Sequence, residues 1–71
     1  MSKYADLIAH YGLDGNGKYI KEFQTEEVRN LADDLMRLLY AINQNDATDN
    51  YKAEKLELIL ENLKSIDTKL N

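Results

Sequence analysis

After Gly17 the chain contains neither glycine nor proline. These are the residues that most strongly interrupt helices, so the long stretch from Lys18 to Asn71 is restricted to a few extended helical elements. Within it, Val28, Leu31, Leu35, Leu38 and Ile42 recur at spacings of three and four residues, and Leu56, Ile59, Leu63, Ile66 and Leu70 repeat the pattern. That spacing holds one stripe of a helix against a partner. Two such stripes joined by a short polar connection are most simply satisfied by folding against each other as an antiparallel helical hairpin.

Thr25 stands where an N-cap for the first long helix belongs, with Glu26 and Glu27 in its first turn, where negative charge favours the free amides. Asp33 and Arg37 are spaced for a stabilising i, i+4 pair. The helix should end near Asn43, and Asp46 or Thr48 is positioned to cap the next one, which runs from about Ala53 to Leu70. Ahead of the hairpin, Tyr4, Leu7, Ile8 and Tyr11 form one face of a short helix with Ser2 as cap and Gly12 as stop. The expected fold is therefore all-α: a short N-terminal helix, a glycine-containing connection carrying Tyr19, Ile20 and Phe23, and a long antiparallel hairpin.

At 71 residues one small helical domain is expected, below the size at which a single core leaves a comfortable margin. Disulfides and thiolate metal sites are excluded by the absence of cysteine. Oligomerisation, docking onto another protein or unusually regular helix packing are the remaining sources of support. A net charge of −4 argues against general affinity for nucleic acid or an anionic membrane. With no signal-like start and no long apolar run, a cytoplasmic protein is the expectation.

No constellation supports catalysis. His10 is the only histidine, and it lacks the neighbours of a metal ligand or of a base activating a nucleophile. Asp14-Gly15-Asn16-Gly17 resembles part of a calcium loop. With Gly17 at the sixth position, however, Gly12 and Phe23 occupy the first and last ligand positions, so two strong ligands are missing. Gly15 to Lys18 lacks the length, the Lys-Ser or Lys-Thr pair and the preceding strand of a P-loop. The small-ligand alternative is a looser anion site built from Lys18, Tyr19 and Lys21 between subunits, or calcium at the degenerate Asp14 to Gly17 loop. No cofactor is implied.

Surplus apolar surface is the more informative signal. Leu39 and Leu60 lie beside the two stripes and can widen the core, but Met36, Tyr40 and Leu58 are difficult to bury in one hairpin. They are the candidate interface residues unless the N-terminal elements cover them. The expected function is a non-catalytic, self-associating protein-interaction module, with a small inhibitor or adaptor of another protein as a further form of the same reading.

Overall fold

The structure, a computed structural model, describes residues 3–12, 22–46 and 48–70. Among them are three α-helices and no strand: α1 (Lys3–Tyr11), α2 (Glu26–Gln44) and α3 (Asn50–Leu70). The expected all-α order is observed. Gln24 and Thr25, at the start of α2, donate their backbone N–H groups to the Asp67 carboxylate near the end of α3, at 2.9 and 2.5 Å. A short connection closes the opposite end, so α2 and α3 form an antiparallel hairpin.

Helix α1 runs alongside α3 in the same sense. Near its start, the Lys3 N–H donates to Asn50 Oδ1 at 3.3 Å and the Lys3 ammonium lies 3.1 Å from Glu57. At its other end, His10 Nε2 lies 3.6 Å from Glu22, whose carboxylate also accepts from Lys64 at 2.8 Å. The Tyr4 hydroxyl donates to Asp49, and burial is the main cause that raises the phenol pKa, with the Asp49 charge and hydrogen bond adding to it. Gly12 follows α1 with its N–H on the Ile8 carbonyl, and an added Cβ would meet that oxygen at 2.5 Å, so glycine is needed for this close approach.

The core joins Tyr4, Leu7 and Tyr11 of α1, Phe23, then Val28, Ala32, Met36 and Leu39 of α2 with Ala53 and Leu60 of α3. Tyr11 and Phe23 stack with centroids 6.1 Å apart. This corrects the expected seam. Leu31 is 57 % exposed and Leu38 49 %, while Ile59, Ile66 and Leu70 are also exposed; Leu35, Ile42, Leu56 and Leu63 are only partly buried against the core. Both long helices are rolled toward α1 and Phe23, because covering those large apolar groups requires more of the hairpin's surface than a two-helix seam does.

Two caps also differ from expectation. Thr25 occupies the N-cap of α2 with extended backbone, but its side chain makes no capping bond. Asp67 satisfies amides at this helix start from across the hairpin, and Thr25 Oγ1 instead approaches the Asp67 carbonyl at 3.5 Å. Asp46 adopts a left-handed conformation with φ 55° and donates its N–H to the Asn43 carbonyl, so it ends α2 rather than starting α3.

Candidate interaction surface

The buried row of α2 is Val28, Ala32, Met36 and Leu39, and that of α3 is Ala53, Leu60 and Asp67. At about 100° per residue, Leu31, Leu35, Leu38 and Ile42 lie to one rotational side of the α2 row. Leu56, Ile59, Leu63, Ile66 and Leu70 lie to the same rotational side of the α3 row. Because the helices are antiparallel, an equal sense of rotation carries both sets to one face of the hairpin. Glu57 and Lys64 are displaced the other way, and these are the residues that reach Lys3 and Glu22. Helix α1 and the segment entering α2 therefore cover one face, while the leucine-isoleucine face opposite, called the open face below, has none of the other described elements across it.

The open face has the 3-4 spacing of a helix-packing seam on both of its helices. Its central residues, Leu35, Ile42, Leu56 and Leu63, are partly buried, and Leu31, Leu38, Ile59, Ile66 and Leu70 project beyond them. Charge borders it asymmetrically. The outer edge of α2 carries exposed Glu27 and Asp34, whereas exposed Lys55 lies on the outer edge of α3, with Lys52 at the start of its stripe. Lys55 Nζ lies 5.1 Å from the centroid of the Tyr51 ring.

The residues singled out as an interface do not meet on one surface. Met36 is completely buried in the core and is removed from the candidate set, because the N-terminal elements cover the side of α2 on which it stands. Tyr40 is exposed on that same side of α2, and Leu58 is exposed on the back of α3. Leu39 and Leu60 widen the core as anticipated. Lys18, Tyr19, Lys21 and the Asp14 to Gly17 loop, the small-ligand and calcium candidates, lie outside the described residues.

The polar cluster at the start of α2 is accounted for by folding. Arg29 donates through Nη2 and Nε to the Phe23 carbonyl at 2.9 and 3.3 Å. Burial pushes the Asp67 carboxyl upward, but the hydrogen bonds from the Gln24 and Thr25 amides and the Thr25 hydroxyl, with the nearby Arg29 charge, outweigh it and hold the group below its ordinary value. Among the described residues no buried side-chain donor or acceptor lacks a partner, which leaves no group of this kind aimed at a ligand. Nor do three His, Asp or Glu side chains gather among these residues as a metal site, and none of the described helices is long and apolar enough to cross a membrane. Compared with family models, curated proteins and solved structures, the chain matches none of them.

Proposed function

We propose that this chain is a non-catalytic, self-associating protein-interaction module that works through the open face of its hairpin. The observation that carries the reading is the row of exposed Leu31, Leu38, Ile59, Ile66 and Leu70 lying together on one side of two helices, opposite the side that α1 covers. Scattered apolar side chains are ordinary on a protein surface, but a contiguous two-helix stripe with packing periodicity has the form of an interface. Rows of leucine and isoleucine at these spacings fit between the side chains of another helical surface rather than around a small polar ligand. Service as a small inhibitor or adaptor of another protein would use the same face.

Sedimentation equilibrium across a range of concentrations tests the reading. Association of the native chain is expected, accompanied by a melting temperature that rises with concentration. Leu31→Lys combined with Ile66→Lys should abolish that association while far-ultraviolet circular dichroism keeps its helical form, because both positions lie outside the core. If the double variant associates as strongly as the native chain, the open face is not the interface.

A further inference from the structure

We infer that the open face is covered by a second copy of this chain, arranged so that α2 of each copy packs over α3 of the other around a two-fold axis parallel to the helices. This rests on the self-association reading above and adds the orientation of the second copy.

The face is about 30 Å long and about 18 Å wide, a footprint of about 500 to 600 Å² per copy, which brings a face-to-face pair near the roughly 1,000 Å² floor of specific interfaces. Apolar contact of that size holds two hairpins together without strongly choosing their orientation. A two-fold axis lying in the plane of contact leaves two ways to stack antiparallel hairpins. With the axis across the helices, α2 lies over an antiparallel α2, so the acidic edge of one copy meets the acidic edge of the other and the lysine-bearing edges of α3 meet likewise. With the axis along the helices, α2 lies over α3, and the acidic edge of each copy meets the basic edge of its mate.

Rim charge of this kind selects register and orientation more than it adds affinity. The second arrangement also places the charges at matching heights. Thr25 is level with Asp67 within one hairpin, and rotation about an axis parallel to the helices preserves height. Counting along both helices at about 1.5 Å per residue, Asp34 comes within about one turn of Lys55 of the second copy. Each α2 is then antiparallel to the α3 that it covers, so the pair forms a four-helix bundle in which every neighbouring pair of long helices is antiparallel. Both α1 helices stay on the outside.

Charge reversal separates this arrangement from its competitor. Within one hairpin Asp34 and Lys55 occupy opposite edges, so any compensation between them must pass between copies. Asp34→Lys and Lys55→Glu should each weaken dimerisation by about tenfold, the double variant D34K/K55E should recover most of the loss, and rising salt should shrink the differences. Circular dichroism of each variant checks that the fold is retained, as expected for exposed positions. A native dimer that Leu31→Lys with Ile66→Lys disrupts, but on which neither charge reversal acts or the double variant fails to recover, would overturn the arrangement and leave the interaction reading intact. A chain that stays monomeric at every concentration would overturn both.

Discussion

The two faces of the hairpin carry comparable apolar side chains and share one helical periodicity, yet only one of them is closed. On the covered face, Tyr4, Leu7, Tyr11 and Phe23 pack over Met36, Leu39 and Leu60, leaving those three without exposure. On the open face, larger numbers of leucine and isoleucine side chains remain half in water. The difference lies in what each face has to pack against. Local periodicity states that a side of a helix is apolar, but α1 and Phe23 decide which side becomes the core, because they bring the aromatic groups to be buried and cover a single face of the hairpin.

Truncation on each face breaks that comparison most directly. Leu60→Ala or Met36→Ala should destabilise the folded chain by about 2 to 5 kcal/mol, since each leaves a cavity where the three helices meet. Leu38→Ala should change the stability of the dilute chain by less than about 0.5 kcal/mol, as expected for an exposed side chain with no special role. Denaturant titrations at low and high concentration check both statements. Equal losses on the two faces at low concentration would show that the open face is packed within the single chain.

The helices, their order and the hairpin are legible in the sequence because breaker-free segments and 3-4 periodicity are local properties. The roll of the helices is not. Counting leucine and isoleucine assigns Leu31, Leu38, Ile59 and Ile66 to the core, while the actual row includes Ala32 and Ala53, which carry little apolar signal, and Asp67, which carries the opposite one. The surface proposed as the interface is therefore the stripe that periodicity marks as the seam, and Met36, which residue type marks as interface, is core. Asp67 is the harder residue to foresee, since its role depends on Gln24 and Thr25 lying far from it in sequence and next to it in space. The sequence holds a sign all the same: an aspartate continues the row of Ala53 and Leu60 at heptad spacing, and a buried carboxylate requires donors.

The closed end of the comparison is sharpened at that aspartate. Its carboxyl is held below the ordinary value of 3.8, so the unfolded chain binds the proton more readily than the folded one. The stability it contributes is present above the unfolded value and is lost as pH falls through the lower folded value. Asp67→Asn should consequently lower the melting temperature clearly at pH 7, and the gap from the native chain should narrow as both are acidified below about pH 4. Melts followed by circular dichroism over a pH series read this out. A gap that stays constant into acid would mean that the carboxylate charge is not what holds the start of α2.

The smallest expected effect concerns how α1 is held on the covered face. Lys3 and Glu57 approach to 3.1 Å, but both side chains remain about one third exposed, and an ion pair so close to water gains little over its hydrated parts. A double-mutant cycle with Lys3→Gln and Glu57→Gln should therefore give a coupling of about 0.2 to 1 kcal/mol at low salt, shrinking as salt is added. Tyr4→Ala, by contrast, should cost about 3 to 5 kcal/mol, on the scale of other buried aromatic truncations, because its ring has no exposed surface. If the cycle instead returned a coupling comparable with that loss, charge rather than aromatic burial would be fixing α1 to the hairpin. Aromatic burial would then no longer explain why one face is closed and the other open, since the open face also has charged edges and none of the described helices lies across it.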